Sequence, residues 1–457
     1  MRNLINIKFF QIVLIAIDVG LVHLGYILAF WFRYLGEFPE ANFPSYVKLI
    51  PWISLLAVIL FLVYGLYNMD YRRWIDIFVS IIWVSGFILA GNTALSFMLR
   101  QFAFPRTVLA LGFLFHLILL SLWRYGVWNY SKKAHGRKHT VVIGNLKEAQ
   151  FIAEKIEKAS PELYYIFGMV VPNNSNIDKK ENYKFPVLGK IENFAQIIED
   201  YAPRMVFLCP DLSKDDKIVI LNTCVKHHCE INLIPDFYEV LVAQARVHQV
   251  VDFPVLYMNN FMLSFTDRII KRLVDFSIAL AGLLMTLPIM LIIALCIKVD
   301  SKGPVLFKQE RVGKEGRIFY LYKFRTMVHD AEKLSGPVLS SEDDRRVTRV
   351  GRVLRHTRLD ELPQFFNVIK GEMSIIGPRP ERPFFVEQFN ESIEGYDFRH
   401  QLTGGITGLA QVSGKYSTTA EDKLRFDLLY TKNYSPLKDL QILFHTLKVL
   451  LIKDKAS

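Results

Sequence analysis

Residues 358–380 read RLDELPQFFNVIKGEMSIIGPRP. The stretch opens with two adjacent carboxylates, Asp360 and Glu361, and closes with Arg379 between Pro378 and Pro380. Side-by-side carboxylates repel one another and are drawn to nearby arginines, and two roles are open to such a pair. One carboxylate can attack phosphorus and form an acyl-phosphate. The other can bind a divalent cation or move a proton. Magnesium takes one or two carboxylates plus substrate phosphate oxygens, so a sparse acid site suits it. The plainer reading is a helix start, where acids ahead of LPQFFNVI favour the dipole. The surroundings of the pair add weight to the chemical reading. Residues 303–415 set Arg and Lys beside Gly and Pro in GPVLFKQERVG, LYKFRTM, DRRVTRVGRVLRHTRLDELPQ, GEMSIIGPRP and GITGLAQVSG. Cations in such settings suit phosphate oxygens, Arg as a planar fork and Lys as a point charge. A basic surface facing anionic lipid accounts for part of this density, but not for an acid pair in its midst.

The elements that position these residues belong to a large, greasy chain. Its 457 residues exceed one core, so two to four domains are expected, and 51% hydrophobic residues with 13% aromatics point to a membrane portion. A net charge of +11 fits nucleic acid, anionic lipid or a phosphorylated substrate; the apolar segments favour the last two, and no nucleic-acid partner is expected. Cys209, Cys224, Cys229 and Cys296 show no framework spacing and read as free thiols. CVKHHC at 224–229 fits no standard zinc pattern and reads as a helix surface feeding a strand.

Four apolar runs come first, near 10–32, 47–68, 76–98 and 104–128, each long enough to cross the ~30 Å hydrocarbon layer. Arg2 and Lys8 precede the first, Arg72 and Arg73 separate the second from the third, and Arg124, Lys132, Lys133, Arg137 and Lys138 follow the fourth. The positive-inside rule therefore places the N-terminus and everything after residue 130 in the cytoplasm. Asp18 and His23, inside the first run, are read as facing neighbouring helices. Residues 139–255 alternate strand-like segments (HTVVIGN, YIFGMVV, RMVFLCP, CEINLIP) with helical ones, which predicts a parallel Rossmann-like sheet. Its first turn offers only Gly144 of a G-x-G-x-x-G pattern, so a scaffold or regulatory role is expected. A fifth apolar run, 273–299, has cations at both ends and Pro288 inside. It reads as a re-entrant helix that bends at Pro288 and returns, against the alternative of an ordinary kinked span.

In order, KRLVDF, GPVLFKQERVG, YKFRTM, RLDELPQFFNVIKGEMSIIGPRP and GITGLAQVSG are the landmarks of a known family: residues 265–455 resemble the bacterial sugar transferases, the monotopic polyprenol-phosphate phosphoglycosyl transferases. The whole chain is similar to the large members that start exopolysaccharide, capsule or O-antigen synthesis. The resemblance implies a ping-pong transfer of a hexose-1-phosphate from a UDP-sugar, UDP-glucose first among candidates, to undecaprenyl phosphate. Asp360 becomes the nucleophile; Glu361 helps to hold Mg²⁺, with Asp360 also a metal ligand. Arg355 and Arg379 match phosphate-contacting arginines, and Lys323, Arg325, Gln309 and Arg311 match pocket positions. Three places depart from the family pattern, one of them Arg345, which stands where a Pro often occurs before RVT. Leu287-Pro288 stands where Ser-Pro is common, with Thr286 one residue earlier, and Gly404 stands where Pro is usual.

The expected fold class is a membrane protein of mixed α and α/β type. It comprises a four-helix transmembrane bundle (1–132), a Rossmann-like domain (135–255), a re-entrant membrane helix (262–300) and a mainly helical cytoplasmic catalytic domain (301–457), at the bacterial inner membrane. The expected partners are a UDP-sugar, undecaprenyl phosphate, inner membrane lipids and a second copy of the chain, since the amphipathic stretch 437–455 suits either a membrane surface or a subunit interface. Two alternatives stay open: the same chemistry on UDP-galactose or an N-acetylated deoxy-hexose, and a non-catalytic scaffold of polysaccharide assembly.

Overall fold

The computed structural model describes residues 2–67, 73–175, 183–243, 245–250, 252–257, 263–328, 344, 346–414 and 418–449. They divide into two compact units, Met1–Asp236 and Phe237–Ser457. Arg72, Arg345 and the end of the 437–455 stretch lie outside the described residues.

The first unit opens with α1 (Arg2–Arg33), α2 (Phe43–Val63), α3 (Trp74–Met98) and α4 (Arg106–His135). Gln11–Arg33, Phe43–Val63, Trp74–Met98 and Arg106–Lys133 are each long and apolar enough to cross a membrane, as is a fifth helix in the second unit; the chain is a membrane protein. α1 packs on α2 and α4, and α3 packs on the same two helices. Asp18 and His23 do face neighbouring helices. The His23 ring meets Tyr46 Oη at 2.9 Å and Ser54 Oγ at 2.8 Å. Asp18 is fully buried and paired with the equally buried Arg124, which also donates to the Leu66 carbonyl at 2.7 Å. Arg124, grouped by sequence with the cations after the fourth run, therefore lies inside α4 and serves as a pin from α4 to α1.

Removing one member of such a pair strands the other charge in apolar surroundings. Arg124→Leu is expected to cost about 3–5 kcal/mol, and Asp18→Asn with Arg124→Leu to recover part of that loss. Thermal unfolding in detergent checks both variants.

The rest of this unit is β1 (Lys138–Ile143), α5 (Leu146–Ala159), β2 (Tyr164–Val171), β3 (Val187–Lys190), α6 (Phe194–Tyr201), β4 (Met205–Leu208), α7 (Lys214–Lys226) and β5 (Glu230–Leu233). The five strands form one parallel sheet in the order β3-β2-β1-β4-β5, as the alternation of elements predicts. Val141, Val142 and Ile143 are buried on both faces, which is why the strand reads as a continuous apolar run. A Cβ on Gly144 would lie 2.5 Å from Cys209, so this glycine answers to packing of β1 against the end of β4. The next amide, Asn145 N–H, donates to Asp211.

The second unit begins at α8 (Phe237–Val242), so the stretch 237–255, read from sequence as the end of the middle domain, groups with the residues that follow it. Next come the hairpin β6 (Arg246–Val250) and β7 (Phe253–Tyr257), the long α9 (Phe265–Asp300), and a second hairpin, β8 (Leu306–Val312) and β9 (Ile318–Phe324). They are followed by α10 (Arg349–Thr357), α11 (Gln364–Lys370), β10 (Ser374–Ile376), α12 (Pro383–Ser392), β11 (Gly405–Thr407), α13 (Leu409–Ser413), α14 (Ala420–Lys432) and α15 (Pro436–Val449).

The charges of KRLVDF lock the start of α9 to this layer. Asp275 accepts from Ser374 Oγ (2.7 Å) and Ile375 N–H (3.0 Å). Lys271 meets Asp439 at 2.8 Å, and Arg272 caps α11 through the carbonyls of Val368 and Ile369. α9 runs as one helix through Pro288. Proline leaves the carbonyl of Leu284 without its helical donor. Thr286 does not replace that bond, because its hydroxyl donates to Gly282 instead.

Candidate active site

The acid pair sits on a short 3-10 turn, Leu359–Glu361, between α10 and α11. Thr348 caps the start of α10, and Arg358 ends it in the left-handed region at φ 55°. A non-glycine residue there is strained, and the strain falls beside the two carboxylates. The side chains then diverge. Glu361 Oε1 accepts from Lys323 Nζ at 2.8 Å and from Arg379 Nη2 at 2.6 Å, while Oε2 has no partner among the described residues. Asp360 is 9% exposed and accepts no side-chain hydrogen bond among the described residues. Lys323 and Arg355 are the cations that act on it electrostatically.

This environment splits the two acids. Burial raises the Asp360 carboxyl above the ordinary aspartate range, and the Glu361 charge adds to it against Lys323 and Arg355. Burial also acts to raise Glu361, but the Arg379 and Lys323 charges override it and hold that carboxyl well below its usual range. Such a divergence marks acids with different tasks. An Asp360 nucleophile must be ionised to attack. In a single turnover without lipid acceptor, kcat/KM for nucleotide release is therefore expected to rise with pH along a limb centred above pH ~4, the ordinary aspartate value. A limb at or below that value would remove Asp360 from the step.

Arg379 is positioned from behind. The carbonyl of Arg379 accepts from Arg399 Nη2 at 3.0 Å, and the buried Arg399 is paired with Asp427 at 2.8 Å. Arg311 donates to the Pro380 carbonyl at 2.9 Å and to Gln309 Oε1 at 2.6 Å. Gly377 and Gly405 let the two strands beneath this loop close up, since a Cβ on Gly405 would lie 2.1 Å from Gly377 N. Gly404 packs under Pro380 in the same way.

The residues expected from sequence thus fall into two groups. Asp360, Glu361, Lys323, Arg355 and Arg379 come together, with Arg355 steadied by Thr326 at 2.9 Å. Gln309 and Arg311 support the Arg379 loop, Arg325 donates to Ser301 at the end of α9, and Pro288 lies in mid-helix. Arg399 and Asp427 carried no sequence signal: the two are 28 residues apart, and each reads as an ordinary surface charge.

A cavity of about 180 Å³ opens beside Glu361 and Arg379, with Arg358 at its rim and Leu362, Phe365 and Val412 in its wall. A larger one, about 310 Å³, lies at the start of α9. Of its four cations, Lys271 is engaged with Asp439 and Arg272 with the carbonyls of α11, and it holds neither carboxylate of the acid pair. The smaller cavity is lined by Glu361 and Arg379 of the site, while Asp360, Lys323 and Arg355 lie outside its lining. No cluster of three or more His, Cys, Asp or Glu occurs among the described residues, so a metal ion here would rest on the acid pair.

The family model for bacterial sugar transferase matches residues 266–453, and that for a CoA-binding domain matches 54–235. The UDP-glucose:undecaprenyl-phosphate glucose-1-phosphate transferase of Klebsiella pneumoniae is 29% identical over 419 residues, 86% of this chain and 87% of that protein. The UDP-N-acetylgalactosamine-undecaprenyl-phosphate N-acetylgalactosaminephosphotransferase of Aeromonas hydrophila is 37% identical over 279 residues, 55% of this chain and 65% of that protein. The exopolysaccharide production protein PSS of Rhizobium leguminosarum bv. phaseoli is 40% identical over 197 residues, 41% of this chain and 98% of that protein.

Proposed function

This chain belongs to the bacterial sugar transferase family and is a transferase, and from that premise we propose that it moves a hexose-1-phosphate, glucose-1-phosphate first, from a UDP-sugar to undecaprenyl phosphate. The observation that carries the reading is Asp360, a carboxylate with no side-chain hydrogen bond among the described residues, beside a second carboxylate clamped by two cations. An Asp360 oxygen attacks the phosphorus attached to the sugar, the bond to the UMP oxygen breaks, and UMP leaves with its electron pair. A phosphate oxygen of the lipid then attacks the aspartyl phospho-sugar and frees the carboxylate. Lys323, Arg355 and Arg379 balance charge on the phosphoryl oxygens.

The donor set fits Mg²⁺: among the described residues Glu361 Oε2 has no partner and Asp360 accepts no side-chain hydrogen bond, and this ion takes one or two carboxylates with substrate phosphates. When bound, Mg²⁺ would neutralise charge on the diphosphate. The first four helices form a transmembrane bundle, and α9 is re-entrant at the inner membrane, so that the site meets the lipid phosphate from the cytoplasmic face. The middle sheet acts as a scaffold, a reading supported by Gly144 backing onto Cys209 and by Asp211 occupying the Asn145 amide. The assembly is a homodimer.

The relatives are named for glucose and for N-acetylgalactosamine, so the donor is the open variable. UMP release from a panel of UDP-hexoses tests the reading. One donor should give a burst equal to the enzyme present without lipid, and continuous turnover with undecaprenyl phosphate. No UMP from any donor would overturn the proposal in favour of a scaffold.

A further inference from the structure

The cavity beside Glu361 and Arg379 contains a polar group that the reaction above does not use. Gln411 lines it from α13, and both its Nε2 and its Oε1 are shielded from solvent with no hydrogen-bond partner among the described residues. A buried carboxamide left open at both ends is costly and calls for an explanation. The carboxamide lies close to the backbone here: a Cβ on Gly408 would stand 2.2 Å from the Gly377 carbonyl oxygen and 2.9 Å from Gln411 Oε1. Nearby hydroxyls do not serve it, because Thr407 and Thr446, which line the same cavity, are bonded to each other at 2.8 Å.

An unused donor and an unused acceptor on one planar group select their ligand. Ionised phosphate oxygens offer acceptors only, and an isoprenoid tail offers neither. A hexose hydroxyl both donates and accepts. The phosphoryl clamp of Arg379 opens into the same cavity, so the ring nearest to Gln411 is the one attached to the clamped phosphate. The nucleobase is farther off, separated from that phosphate by a second phosphate and a ribose. We propose that Gln411 is a recognition residue for the transferred sugar, its carboxamide pairing with a ring hydroxyl of the donor. This rests on the hexose-phosphate transfer proposed above. The sugar remains on that phosphate through both half-reactions, so the contact serves the donor and the covalent intermediate alike.

The test compares wild type, Gln411→Leu and Gln411→Glu, with thermal melts to confirm folding. The substrates are UDP-glucose, UDP-galactose, UDP-N-acetylgalactosamine and the deoxy analogues of the preferred donor. Gln411→Leu is expected to lower kcat/KM on the preferred donor about 100-fold, and to change it less than about 3-fold on the one deoxy analogue that lacks the recognised hydroxyl. Gln411→Glu, which keeps an acceptor and loses the donor, falls between them. Inhibition by UMP, which carries no sugar, stays unchanged in all three. Equal losses on every donor together with weaker UMP inhibition would assign Gln411 to the nucleotide and overturn the proposal. So would wild-type rates in both variants. Wild-type protein that releases no UMP from any UDP-hexose overturns the parent reading, and this one with it; turnover by wild type with no donor-dependent change in the variants overturns the sugar contact alone.

Discussion

Asp360→Asn is expected to abolish UMP release, by about 10⁴-fold or more, and to leave the protein no less stable than wild type. The activity loss follows from the chemistry, because an amide oxygen cannot form the acyl-phosphate and loss of a covalent nucleophile costs that much in other enzymes. The stability result follows from burial. The folded state raises the Asp360 carboxyl above its unfolded value. For an acid this sign means that ionised Asp360 disfavours the folded state: the penalty is absent below the unfolded pKa and complete once pH has risen through the folded one. At pH 7 wild type carries the whole penalty, and asparagine carries none. Wild-type stability should therefore fall relative to Asp360→Asn as pH rises from 4 to 7, read from thermal midpoints in detergent. A variant that keeps full activity would sink the nucleophile assignment, and one that melts well below wild type at pH 7 would make Asp360 a structural acid.

The acid pair and Arg379 were legible in the sequence because their chemistry is local: two carboxylates, a stiff Pro-Arg-Pro and a run of cations within a few dozen residues. The parallel sheet was legible for a similar reason, since alternating strand and helix patterns admit few topologies. What stayed hidden was set by long-range pairing. Asp275 and Ser374 are 99 residues apart and Lys271 and Asp439 168 apart, and only folding brings them together. Arg325, Gln309 and Arg311 show the converse. Motif position put them with the pocket, yet Arg325 Nη2 donates to Ser301, Arg311 Nη1 to the Pro380 carbonyl and Arg311 Nη2 to Gln309 Oε1. Arg124 is the same lesson in the membrane, where a cation at the end of an apolar run turned out to be the partner of Asp18.

Glu361→Gln should be the opposite of Asp360→Asn in stability while resembling it in activity. The Glu361 side chain is 14% exposed and bridges Lys323 and Arg379, so glutamine leaves two cations facing each other without their anion. Breaking a buried pair costs about 3–5 kcal/mol; Arg379 is a third exposed here, so about 2–4 kcal/mol is the expected loss at pH 7. The dependence on pH identifies the cause. The Glu361 carboxyl is held below its unfolded value of about 4.3, so its contribution is fully present above that pH and disappears as pH falls through the folded pKa. The difference between wild type and Glu361→Gln should shrink on acidification below pH ~4, just where the Asp360 penalty has also gone. Activity should fall about 10²–10³-fold, the usual cost of losing one preorganised group that stabilises charge, because Arg379 is then no longer held toward the phosphate. Equal stability of the two proteins at pH 7 would mean that Glu361 does not hold the two cations, and would return Arg379 to the status of a surface arginine.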